Sequence, residues 1–94
     1  MKVRIKVEHP QLKVDEVVSG RNAEEIVTTV KGNVAKKVPF ALRLLINGMS
    51  PLGFAQEIVK RYNAEMKTNE PKPASCEEFL ISAEKLGFVT ILEK

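Results

Sequence analysis

The chain has 94 residues, with 15 basic and 12 acidic side chains, one His and one Cys. That length fits one domain, and 44% hydrophobic with 29% charged residues is the balance of a folded globular protein, not a disordered one. A single Cys excludes an internal disulfide framework and, beside a single His, leaves too few soft ligands for a zinc site.

From the start, Val3, Ile5 and Val7 alternate with Lys2, Arg4, Lys6 and Glu8, the pattern of a strand with one buried face. His9-Pro10-Gln11 breaks that pattern and suits a turn. Leu12 to Val18 is expected as a second strand, with Leu12, Val14 and Val18 on one side and Glu16 intruding among them. A bulge near Glu16-Val17 would restore the alternation. The two strands make a hairpin.

Asn22, with Glu25 three residues on, has the form of a helix cap. Ile26, Val27, Val30, Val34 and Val38 follow on an arc of about 120°, a core-facing stripe. Gly32 and the valines weaken helix propensity, so this helix depends on tertiary packing. It should end near Lys37, because the residue before Pro39 is pushed out of the α region. Phe40 to Ile46 is apolar nearly all round, with Arg43 the only charge, and predicts a helix buried on most sides.

Asn47-Gly48 supplies a stop and Ser50-Pro51 the next start. Phe54, Ala55, Ile58, Val59, Tyr62 and Met66 then share one side of a helix, opposite Gln56, Glu57, Lys60, Arg61 and Asn63. Residues 67–74, with two prolines, read as a surface loop. Ser75 and Glu78 have capping-box spacing, Cys76, Phe79, Leu80, Ala83 and Leu86 form a helical stripe, and Gly87 ends it. Phe88 to Leu92 is apolar on both sides, as expected of a strand inside a sheet.

The expected order is β-β-α-α-α-α-β within a single α+β domain spanning residues 1–94. Its small three-stranded sheet comes from the N-terminal hairpin and the C-terminal strand, and the helices pack on one face. The start of the chain lacks the apolar run of a secretory signal. The most apolar stretch, Val38 to Ile46, contains Pro39 and Arg43 and falls far short of the ~20 residues a membrane span needs. A soluble, cytoplasmic protein without membrane association is the expectation, and a lone thiol agrees with a reducing compartment.

Catalytic groups are scarce. A Ser-His-Asp set would have to join His9, Asp15 and one of Ser19, Ser50, Ser75 or Ser82, and no nucleophile elbow surrounds any of them. Cys76 stands in a first helical turn, where the helix dipole favours a thiolate, but it lies on the apolar stripe beside Glu77 and Glu78. A buried structural thiol fits better. Glu24-Glu25 and Glu77-Glu78 are explained by first-turn positions, where carboxylates complement the helix dipole. The five glycines are isolated, so no phosphate loop occurs. No catalytic residue, metal or cofactor is expected, and the chain reads as a non-enzymatic binding or accessory module.

Two modes of binding compete. Residues 1–47 carry nine basic and five acidic side chains, while residues 48–94 carry six and seven. Nucleic acid is one candidate partner: Lys2, Arg4, Lys6 and Lys13, assisted by Lys36 and Lys37, would contact phosphates. Against it, the strand face offers no aromatic for stacking, and Glu8, Asp15 and Glu16 interrupt it. Alternating lysines also protect an outer strand from edge pairing. A helix-turn-helix over Phe40–Ile46 and Pro51–Met66 is a further route, but its readers Gln56, Lys60, Arg61 and Asn63 come late in the second helix.

Protein association is the preferred mode. The apolar block from Val38 to Phe54 is long for a small domain to bury, and surplus apolar surface marks interfaces. Leu45, Met49, Leu52 and Ile81 would supply contact area, to a protein partner or to a second copy in a homodimer through the helix pair or an open sheet edge.

Overall fold

The computed structural model describes residues 1–9 and 12–94. The turn expected at His9-Pro10-Gln11, and the side chains of His9 and Leu12, lie outside what is described. Strands β1 (Lys2–His9) and β2 (Leu12–Ser19) are followed by helices α1 (Ala23–Lys37), α2 (Phe40–Asn47), α3 (Pro51–Met66) and α4 (Cys76–Lys85), then strand β3 (Val89–Glu93). The fold is α+β in the expected order.

Local chemistry sets the helix starts. Asn22 Oδ1 accepts from the Glu25 amide at 2.9 Å, Ser50 Oγ from Gly53 at 3.0 Å and Ser75 Oγ from Glu78 at 3.1 Å. The glutamates of the two box-like caps reach one residue further back than the cap itself: Glu25 accepts from the Arg21 amide at 3.2 Å and Glu78 from the Ala74 amide at 2.7 Å. Helix α4 closes at Leu86, and Gly87 then takes φ +89°, a left-handed conformation that costs a side chain dearly and glycine almost nothing.

The sheet has the order β2-β1-β3, and both pairings are antiparallel. β3 therefore lies at an edge, not inside the sheet, and β1 is the central strand. Two consequences overturn sequence-based expectations. Of the apolar residues of β3, Val89 is buried and Ile91 half-buried, while Leu92 is exposed at a register irregularity that skips it between the partners of Val3 and Lys2. The alternating cations of β1, placed on a central strand, have no sheet edge to protect.

The β1–β2 register runs unbroken from Lys2 opposite Ser19 to His9 opposite Leu12, so the bulge expected near Glu16-Val17 does not form. Glu16 stays on the helix side of β2, half-buried, because Asn33 Nδ2 on α1 donates to its carboxylate at 2.9 Å. A polar contact 17 residues away satisfies the charge that local alternation could not place.

Val3, Ile5, Val14, Val18 and Val89 from the sheet meet Ile26, Val27 and Val34 of α1, Phe54 and Ala55 of α3, and Cys76, Leu80 and Ala83 of α4 in one core cluster. Tyr62 and Phe88 join α3 to the start of β3 edge-on, with ring centroids 5.6 Å apart. Met66, at the far end of the α3 stripe, is exposed and does not belong to the core.

Helix α2 is the largest departure from expectation. None of its residues is buried. Phe40 is 70% exposed, Leu44 59%, Leu45 56% and Leu42 42%. An all-round apolar sequence gives no polar face to turn outward, and only one side of this helix finds a neighbour, chiefly α1. Half-buried Ile46 packs against the core cluster, and two cations fix the helix in place. Arg43 Nε donates to Ala35 O at 2.9 Å, and Lys31 Nζ donates to Met49 O at 2.7 Å.

Candidate interaction surfaces

The solvent-facing side of the sheet carries the first set of candidate residues. Lys2, Arg4, Lys6 and Lys13 are all exposed on it. Their charge is largely answered within the sheet. Arg4 forms a bidentate pair with Asp15, Nε to Oδ1 and Nη2 to Oδ2 both at 3.1 Å. That hydrogen-bonded pairing holds the Asp15 carboxyl below its usual range and raises the Arg4 guanidinium above its own. Lys6 Nζ is 3.5 Å from Glu8 Oε1, and the register places Lys2 opposite Glu93. Glu16, expected to interrupt this patch, faces the helices instead; Asp15, Glu8 and Glu93 do the interrupting. No aromatic side chain stands on this face among the described residues.

Lys36 and Lys37 do not join that patch. They are exposed on the last turn of α1, in the helical layer behind the sheet. The helix-turn-helix readers on α3 are mostly engaged within the chain. Gln56 Nε2 donates to Pro73 O at 3.0 Å, and Arg61 Nε to Glu57 Oε1 at 3.2 Å. Asn63 clamps the following loop, donating to Glu70 O and accepting from the Glu70 amide at 2.9 Å. The groove of about 460 Å³ between α3 and this loop is lined by Gln56, Glu57 and Asn63, each bonded within the chain, together with Lys60, Glu70 and Lys72.

The proposed interface residues separate into two kinds. Leu45 on α2 and Ile81 on α4 are exposed, the latter by 53%. Met49 and Leu52 are half-buried and pack against the core cluster, so they have less to offer a partner. Phe40, Leu42 and Leu44 were not singled out by sequence, although all three are exposed and Phe40 and Leu44 more so than Leu45 or Ile81. The signal was present: a helix with no polar face, short enough that one neighbour covers one side only.

At 100° per residue, Phe40, Leu44, Ala41, Leu45 and Leu42 span an arc of about 200°. Ile46, Arg43 and the exposed Asn47 occupy the remainder, where Ile46 packs against the core and Arg43 reaches Ala35 O on α1. The exposed arc forms an apolar ridge about 8 Å long. Its N-cap, Pro39, makes no side-chain hydrogen bond, and the first turn holds no acidic residue.

Groups for chemistry do not converge. Cys76 is buried, and burial first, with the Glu24 charge second, pushes its thiol above the usual range. Asp15 is tied to Arg4 on the far side of the sheet. No cluster of three or more His, Cys, Asp or Glu able to hold a metal occurs among the described residues. No described helix is long and apolar enough to cross a membrane. Compared with protein-family models, curated proteins and solved structures, the chain matches none.

Proposed function

We propose that this chain is a non-catalytic binding module that associates with a protein through the exposed ridge of α2. The observation that carries the proposal is the exposure of Phe40, Leu44 and Leu45 side by side on a helix whose position is fixed by Arg43 and Lys31. Contiguous apolar surface held in a defined shape is what protein interfaces use, and its desolvation drives association. Ile81 would belong to a separate contact. The competing role, phosphate contact through Lys2, Arg4, Lys6 and Lys13, is weakened by the acidic partners interleaved with those cations.

Photocrosslinking separates the two. A benzophenone side chain in place of Phe40, and in a second variant in place of Arg4, is irradiated in intact cells. Protein adducts from position 40, and none with nucleic acid from position 4, are the expected outcome. Nucleic-acid adducts from position 4 with a silent position 40 would favour the sheet face instead.

A further inference from the structure

The charge around α2 specifies what kind of protein fits it. From Ile26 to Gln56 the sequence contains no carboxylate, yet it carries Lys31, Lys36, Lys37 and Arg43. Lys31 and Arg43 spend their charge holding backbone carbonyls. Lys36 and Lys37 do not: both are exposed on the last turn of α1, and neither forms a salt bridge among the described residues. Their placement at a helix C-terminus suits the helix dipole, which leaves the ammonium groups free to meet a partner. The chain runs directly from Lys37 through Val38 and Pro39 into Phe40, so these cations stand at the end of the apolar ridge where its most exposed side chain begins.

Building on the α2 docking surface, we infer that its occupant is an amphipathic helix of another protein. The face of that helix toward α2 is leucine- or phenylalanine-rich, and the flank beside Lys36 and Lys37 is acidic. The ridge gives the partner its apolar contact, and the free lysines fix its polarity and direction. A second copy of this chain is disfavoured because a contact of α2 with α2 offers Lys36 and Lys37 only the segment from Ile26 to Gln56, which has no carboxylate to pair with them. An anionic bilayer is disfavoured because a helix lying in a membrane surface carries cations along its own polar side. The sole cation of α2, Arg43, is turned inward to Ala35 O.

The test uses three labelled 18-residue peptides that share one leucine/phenylalanine stripe and carry flanks of Glu, Gln or Lys. Binding to the full chain is followed by fluorescence anisotropy at low and high salt. The Glu peptide should bind at least about tenfold more tightly than the Lys peptide, with Gln between, because attraction at both Lys36 and Lys37 turns to repulsion when the flank changes sign. High salt should narrow the gap. Lys36→Glu/Lys37→Glu should invert the ranking, and Leu44→Ser should weaken all three peptides, with unchanged circular dichroism confirming that both variants fold.

Equal affinity for the three peptides would overturn the acidic partner while leaving α2 as a docking surface. Absence of peptide binding with concentration-dependent dimerisation that Leu44→Ser abolishes would install a second copy as the occupant. Stronger binding to phosphatidylcholine vesicles containing 30% phosphatidylserine than to any peptide would install a bilayer. With no binding of any kind, and no effect of Leu44→Ser on association, the docking surface itself would fall.

Discussion

β1 and α2 make opposite use of apolar residues. β1 has three, spaced at every second position, and it buries Val3 and Ile5 completely or nearly so at the centre of the sheet. α2 has six among its eight residues and buries none. The difference lies in pattern, not in content. Alternation gives β1 one face to hide and one to hydrate, so its orientation is determined by its own sequence. A helix without a polar face has no such preference, and the neighbours available decide how much of it is covered. In this chain α1 covers one side, and the remainder stays open.

That contrast can be broken most forcefully in the core. Ile26→Ala, at a fully buried position against the sheet, should cost about 2–5 kcal/mol in chemical denaturation. Leu44→Ala, a change of similar size at an exposed position on α2, should stay within about 0.5 kcal/mol of wild type. Comparable losses at the two positions would mean that α2 is part of the core after all.

The helix on which both regions rest offers finer tests. Asn22→Ala removes the acceptor for the Glu25 amide and should lower stability by roughly 1 kcal/mol in thermal melts. Gly32, inside the same helix, meets no atom within 4 Å of where a Cβ would be. Gly32→Ala should therefore raise stability by about 0.5–1 kcal/mol, since only backbone freedom of the unfolded chain is lost. A destabilised Gly32→Ala protein would place an unseen neighbour over that side of α1.

The caps at Asn22, Ser50 and Ser75 were legible because they are local: donor and acceptor lie three residues apart, and spacing alone predicts them. The solvent-facing cations of β1 were legible for the same reason. What sequence could not show depended on distant partners. Asn33 reaches Glu16 across 17 residues and removes the need for a bulge. Arg4 meets Asp15 diagonally across the pair because the unbroken register places Lys6 opposite Asp15. Of the candidate site, Leu45 was found by its position in an apolar block. Phe40, Leu42 and Leu44 were missed because apolar sequence was equated with burial. Exposure is a property of the neighbours a helix acquires, and an all-round apolar sequence does not say which of its sides they cover.

The smallest expected effects concern the sheet face and the thiol. Asp15 and Glu25 are held below the usual carboxylate range, Asp15 by its hydrogen bonds from Arg4 and Glu25 by those from the Arg21 amide and guanidinium. A carboxylate with a depressed folded-state pKa contributes stability above its unfolded value, about 4, and that contribution is lost as pH falls below it. Asp15→Asn should leave stability at neutral pH almost unchanged, as befits an exposed pair, and flatten the decline on acidification. Cys76 should resist alkylation by iodoacetamide in the folded protein and react on unfolding, since its thiol is buried and held neutral. Rapid alkylation under native conditions would contradict the structural role.

The division between a sheet-centred core and an open α2 ridge is tested most directly by backbone amide chemical-shift mapping during titration with the Glu-flanked peptide. The predicted perturbations centre on Phe40 to Ile46, extend to Lys36 and Lys37, and leave Lys2 to Lys6 and Lys13 unmoved. Perturbations confined to the sheet face, with α2 silent at saturation, would contradict the account.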